Sequence, residues 1–500
     1  MKKLFNFCMA TFAVVSLLSC DNEDVNIIPE EPTPAPNLMV YALTENNQLV
    51  TFNTNNSSTF ASTKPIMGIP SGEKLLSIDF RPATGELYAV SNASKFYIIN
   101  TSTASTRMVG TTSFSPLISG TVASIDFNPT VDRIRLVTNT GQNLRLHPET
   151  GAIAATDTNI ATTSSIMGIA YTNSVSGATS TILYDLDATS GKLFKQDPPN
   201  NGTLVEVGSL GITFTGQAAF DINPDNTLAV MAATTGTQNT LYTVNLMNGK
   251  ATNLGNLSQK IIDLAIPTNP VAYAVDNTNS LQIFNPNNPQ LVTKAITGLQ
   301  TGENILGIDF RPLNGQLYAL GNSSRIYTIN LGNGAATVVG SQFPTLLAGT
   351  EFGFDFNPTV DKIRVVSNTG QNLRLDPVTG GITATDGVIN PGTPTLGAAA
   401  YTNNFAGATT TSLFVIDYST DKLYLQNPPN NGTLVEQGSL GINITGANGF
   451  DIGSTSQKAY LIASVGTDTK LYTVNTTNGS VTSLANYPNP VRGFTIGLGF

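Results

Sequence analysis

The chain has 500 residues with 24 Lys and Arg against 33 Asp and Glu, a net charge of −9, and charged residues at only 11% of the total. A surface this sparsely charged, rich in Thr, Asn, Gly and Ser and without a basic stripe, excludes recognition of a phosphate backbone, so nucleic acid is not an expected partner. One histidine and two cysteines leave no material for a Ser-His-Asp arrangement or a histidine metal cluster.

The N-terminus, MKKLFNFCMATFAVVSLLSC, carries two lysines and then an apolar run from Leu4 to Leu18 that is too short to span a bilayer. This reads as an export signal over residues 1–19. Leu17-Leu18-Ser19-Cys20 resembles the lipobox of bacterial lipoproteins, which implies an acylated Cys20 at the mature N-terminus and contact with the membrane through lipid chains alone. Residues 20–36 are acidic, with prolines at 29, 32, 34 and 36, and read as an extended tether. The acidic cluster after Cys20 resembles surface-export signals of Bacteroidota lipoproteins; a plain solvated linker is an equal reading. The expected location is the bacterial outer membrane, facing periplasm or cell exterior. Cys8 is lost with the signal, so the mature chain has no disulfide in a compartment that would form one.

From Asn37 onward the chain is a duplication. Phe80 and Phe310 head matching segments 230 residues apart, Arg135 and Arg364 lie 229 apart, and Tyr242 and Tyr472 lie 230 apart. The two copies are 37–268 and 269–500. Within each copy a segment patterned I-D-F-x-P recurs, as SIDFRP at 77–82 and SIDFNP at 124–129. The Asp position of these segments, or its equivalent, falls at 79, 126, 170, 221, 263, 309, 355, 400, 451 and 495. Each step also holds segments like ELYAV (86–90), KFYIIN (95–100) and TRMVG (106–110). All are short, alternate apolar with polar and are bounded by Gly, Pro and Asn, so they read as strands. NNG at 200–202 and 430–432 supplies hairpin turns.

Four antiparallel strands repeated ten times predict an all-β fold, a β-propeller of ten four-stranded blades. The first unit, 37–69, lacks a first strand, and one is left over at 493–500. If Ile261 to Ile266 closes the first copy and the final strand the second, the result is two tandem five-bladed propellers; if only the final strand closes, it is one ten-bladed ring. Propellers of four to eight blades are the common sizes, which favours two fives.

IDFRP with GELYAV or GQLYAL, FNPTVDRIR, NTGQNLRL and LYTVN resemble the bacterial family known as domain of unknown function 4394 (DUF4394), in two copies. The resemblance implies the fold and carries no activity.

Two groups of residues invite a functional reading. Asp79, Asp126, Asp221, Asp263, Asp309, Asp355 and Asp451 recur at one blade position, which points to scaffold, since a catalytic acid is needed once. FNPTVDRIRLVTNTGQNLRL at 127–146 and its copy at 356–375 occur in one blade per half and put arginines where other blades have apolar residues. Asp132, Arg135, Asn139, Gln142, Asn143 and Arg145, with Asp361, Arg364, Asn368, Gln371, Asn372 and Arg374, therefore form either a structural ion-pair network or a site for an anionic or polar ligand. Asp126 or Asp132 is the expected partner of Arg135. Tyr171 and Tyr401 are the best placed aromatics, though packed core tyrosines fit the pattern better.

No catalytic residue, metal ligand or cofactor is expected; calcium held by Asp, Asn and carbonyl oxygens stays open, although no D-x-[DN]-x-[DN]-G loop is present. The residue types favour a non-catalytic module binding an extracellular protein, peptide or glycan. The alternative is a polysaccharide hydrolase or lyase using Asp132, Glu149, Asp157, Asp361 or Asp386.

Overall fold

The computed structural model describes residues 35–500; Cys20, the export signal and all but the end of the tether lie outside the described residues. Forty strands form ten four-stranded antiparallel sheets, with three single-turn 3-10 segments among the described residues. In each sheet the first strand is largely buried, as in Ala123–Asn128, and the fourth is mostly half-buried or exposed, as in Ile153–Thr156. This gradient is what face-to-face packing of wedge-shaped sheets around an axis requires, because inner strands meet neighbours on both sides.

The innermost strands of the first copy are Leu75–Phe80, Ala123–Asn128, Ile166–Tyr171, Ala219–Ile222 and Ile261–Ala265. Each packs beside the next, and the last returns to the first, so the order is cyclic within the copy. Ile305–Arg311, Phe352–Asn357, Leu396–Tyr401, Gly449–Ile452 and Val491–Ile496 do the same in the second copy. Ile261–Ala265 pairs with Met39–Thr44, and Val491–Ile496 pairs with Ala272–Asp276. Each copy thus supplies its own missing first strand. The arrangement is two five-bladed rings, and the single ring of ten is excluded because the final strand does not meet residues 37–69.

Two sequence signals explain why the blades stack. The Phe of I-D-F packs edge-on against the Tyr of the L-Y-A strand in the preceding sheet: Tyr41 with Phe80, Tyr88 with Phe127, Tyr273 with Phe310 and Tyr318 with Phe356, all at 5.1 to 5.3 Å. Such a contact contributes about 0.5 to 1.5 kcal/mol beyond area burial. Near the axis of the second ring, small residues allow close approach: a Cβ on Gly353 would lie 2.6 Å from the Cβ of Ala399. In the first ring serines stand at two such positions, and the backbone N–H of Ile125 donates to Ser77 Oγ at 2.9 Å while that of Ile169 donates to Ser124 Oγ at 3.1 Å.

The rings meet through the faces at the C-terminal ends of their inner strands. Arg81 and Arg107 donate to the carbonyls of Gly315 and Leu313, Tyr273 Oη donates to Ala83 O at 2.8 Å, and Gly499 N donates to Thr84 O at 2.7 Å. The opposite mouths, where inner strands begin, point away from this interface.

Candidate functional site

The repeated stretch resolves into two separate groups. In one, Arg135 replaces the Tyr that elsewhere receives the next sheet's Phe, and that Phe position is Tyr171. Nε of Arg135 donates to Tyr171 Oη at 3.3 Å, NH1 to Asn143 Oδ1 at 2.8 Å and Asp157 Oδ2 at 2.5 Å, and NH2 to Asn200 Oδ1 at 2.7 Å. Arg145 clamps the same Asp157 through two bonds of 2.7 and 2.8 Å. The second copy repeats every contact: Arg364 donates to Tyr401, Asn372, Asp386 and Asn430, and Arg374 clamps Asp386. Tyr171 and Tyr401 are buried core residues. Four of the five guanidinium N–H groups have partners, one of them a carboxylate, which is how a buried charge is tolerated.

The expected partners of Arg135 are corrected. Asp126 faces the ring axis, and Asp132 binds Arg81, whose Nε donates to Oδ1 at 2.9 Å. Asp361 binds Arg311 in the same way at 2.8 Å. Asp157 was reached because the fourth strand folds back beside the third, bringing residue 157 next to Arg145. Asn139, Gln142, Asn368 and Gln371 belong elsewhere: they hold the loops at 117–122 and 346–351 through backbone bonds.

The aspartates line the ring axes. Six of the seven share one register, each opposite the second residue of the neighbouring L-Y-A strand; Asp263 does not. It pairs with Leu43, whereas Ala265 occupies the shared position, so Asp263 stands two residues earlier, where Ser77 and Ser124 stand. Most carboxylates take one N–H from their own strand and one from the next sheet, as Asp79 does from Phe80 at 2.7 Å and Phe127 at 2.8 Å. They are staples between blades. One oxygen each from Asp79, Asp126 and Asp221 lies within 4.8 Å of the others, and Asp309, Asp355 and Asp451 match them, a spacing a cation can use. Burial, with mutual repulsion, raises Asp79, Asp126, Asp309 and Asp355 well above the carboxylate range; burial pushes Asp221 and Asp451 up to about 7 and Asp263 to about 8. Shared protons, rather than a full set of negative charges, are what that environment favours.

A site not nominated from the sequence lies at the outward mouth of the second ring. A cavity of about 530 Å³ is lined by Asn277, Asn304, Asn322, Thr350, Glu351 and Arg492 over an apolar floor that includes Phe352. Arg492 makes no ion pair or hydrogen bond among the described residues, and its NH1 is buried without a partner. Both amide atoms of the adjoining Asn448, itself 2% exposed, are likewise unpartnered. Glu351 accepts one N–H, from Ala447 at 2.7 Å, and burial raises its pKa despite that bond and the charge of Arg492. The signal was available: at the matching positions the first copy has Ile262, Ala218, Val122 and Gln217 in place of Arg492, Asn448, Glu351 and Ala447. Gln217 reaches across its ring to Leu76 O, a contact Ala447 cannot make.

Comparison with known proteins gives family rather than activity. No curated protein matches the chain. Among solved structures it is similar, at 12% identity and a TM-score of 0.25, to an extracellular domain ascribed to a one component system of B. thetaiotaomicron, over 89% of this chain and 59% of that one. It therefore spans less than two thirds of that relative, and a similarity of this order carries no functional argument. A model described as a repeat of unknown function (DUF6923) matches residues 199–347. The model described as a domain of unknown function (DUF4394) matches residues 48–265 and 280–495, and the chain belongs to that family in two tandem copies.

Proposed function

We propose that the protein is a lipid-anchored, extracytoplasmic binding module of the outer membrane that holds its ligand at the mouth of the second ring and does no chemistry on it. The export signal, Cys20 and the proline-rich tether support the anchored location. The observation that carries the binding reading is an unpartnered guanidinium, Arg492, in a polar cavity of about 530 Å³, a volume in the range of small-molecule sites.

The hydrolase or lyase reading needs two free carboxylates about 5 to 10 Å apart. Asp132 and Glu149 are taken by Arg81, Asp157 by Arg135 and Arg145, Asp361 by Arg311 and Asp386 by Arg364 and Arg374. Among the described residues that line the cavity, Glu351 is the single carboxylate. The test is incubation of the full chain with panels of soluble cell-surface glycans and peptides, followed by equilibrium dialysis and product chromatography. Saturable retention of an intact ligand is expected; shortened or unsaturated products would establish the enzyme instead.

A further inference from the structure

The four differences between the two mouths act together. In the first ring Ile262, Val122 and Ala218 are apolar and Gln217 spans the opening to Leu76 O. In the second ring Ala447 removes the span, while Arg492 and Glu351 put a cation and a carboxylate into the space and Asn448 lies buried beside Arg492. A scaffold that needed these groups for folding would hydrogen-bond them, as both rings do with Arg135 and Arg364. Here NH1 of Arg492 and both amide atoms of Asn448 are buried and unbonded. Arg492 is half-buried and lines the cavity, so its guanidinium stands open to a ligand group.

Resting on the binding reading above, we propose that the second-ring mouth recognises a sugar acid: a hexuronate whose carboxylate lies on Arg492 and whose hydroxyls meet the amides around it. A planar fork of N–H donors matches a carboxylate. The side chains of Asn277 and Asn304 make no hydrogen bond among the described residues, and Asn322 spends only its Oδ1, accepting from Asn304 N at 2.9 Å. Each amide offers a donor and an acceptor, the pattern that adjacent sugar hydroxyls need. An α-amino acid would place its ammonium on Glu351. The lining sets three amides against one carboxylate, more partners for hydroxyls than for an ammonium, and Glu351 already accepts one N–H. As a hydroxyl partner it serves in either protonation state.

The experiment is calorimetric titration of the full chain with galacturonate, glucuronate, galactose and glutamate, plus a galacturonate oligomer, repeated on R492M and A447Q. Thermal melts check that both variants fold. Uronate binding is expected, weaker by about tenfold or more in R492M, as loss of a charge-assisted bond implies, and weakened again in A447Q, which restores the first ring's plug. Tighter binding of the oligomer than of the monomer would place the acid at a polysaccharide end; equal binding would make the free sugar acid the ligand. If galactose or glutamate binds as well as the uronates, or R492M binds them unchanged while A447Q does not, the sugar-acid inference fails and the mouth remains a binding site. If uronates bind but neither substitution matters, the mouth itself is wrong. Absence of uronate binding at millimolar concentration also overturns the inference.

Discussion

Arg81 grips Asp132 through Nε and NH2 across two adjacent sheets, gives NH2 also to Glu149 at 2.6 Å, and sends NH1 to the carbonyl of Gly315 in the other ring at 3.1 Å. Its copy in the second ring, Arg311 with Asp361, has no such cover, and the Asp361 side chain is 33% exposed. One motif thus serves as a blade clasp in both rings and as an interface anchor in one.

Replacing Arg81 with Met leaves two carboxylates under the second ring without their cation. A cost of about 3 to 5 kcal/mol in urea denaturation is expected, against about 1 kcal/mol for Arg311→Met, whose partner reaches water. Equal costs would show that the interface does not bury the first pair.

The network at Arg135 separates into a buried and an exposed arginine sharing Asp157. Arg135 has a side chain 1% exposed and Arg145 one 33% exposed. Arg135→Met is expected to destabilise by about 3 to 5 kcal/mol and Arg145→Met by about 1 kcal/mol, measured by urea denaturation. The reverse order would place the structural burden on the outer residue.

The axial aspartates predict a pH dependence of one sign. Their folded pKa values are raised, so between about pH 4, where carboxylates in the unfolded chain titrate, and about pH 7 to 8, where Asp221, Asp451 and Asp263 titrate when folded, the native state binds more protons. Stability therefore falls as pH rises through that window. Asp376, held at about 2 by the N–H of Thr379 first and then Lys362, loses its contribution only below pH 4 and does not cancel the slope. Melting temperature should be higher at pH 5 than at pH 8, with a shallower slope in Asp221→Asn and no response to chelator. A rise towards pH 8, or a fall on adding chelator, would mean that the carboxylates are ionised around a cation.

Closure by the last strand makes the rings independently sealed. Deleting residues 491–500 should leave hydrogen exchange slow over 39–265 and make it fast over 272–490. Uniform loss of protection would mean that the two rings fold as one unit.

The architecture was legible because its causes are local and repeated: I-D-F and L-Y-A are the two halves of one interblade aromatic contact, and a missing first strand at 37–69 has to be supplied from elsewhere. The register of Asp263 was not legible, since IIDLAIP resembles the blade motif while the ladder places it two residues earlier. The partner of Arg135 was misread for a similar reason: Asp126 and Asp132 are near in sequence, but the fold-back of strand 153–156 and the hairpin at Asn200 decide the contact. The mouth was hidden because Asn277, Asn304, Glu351 and Arg492 come from three different blades and, in Asn277 and Arg492, from strands more than 200 residues apart in one of them. Each looks like an ordinary loop residue until the inner strands converge.

The candidate site is a difference between two copies of one fold, so the most direct measurement exchanges that difference. The full chain carrying E351V, A447Q, N448A and R492I, which gives the second mouth the first ring's side chains, should lose calorimetric galacturonate binding while keeping its hydrogen-exchange protection. Undiminished binding in that variant, with the fold intact, would contradict the assignment of the mouth as the site.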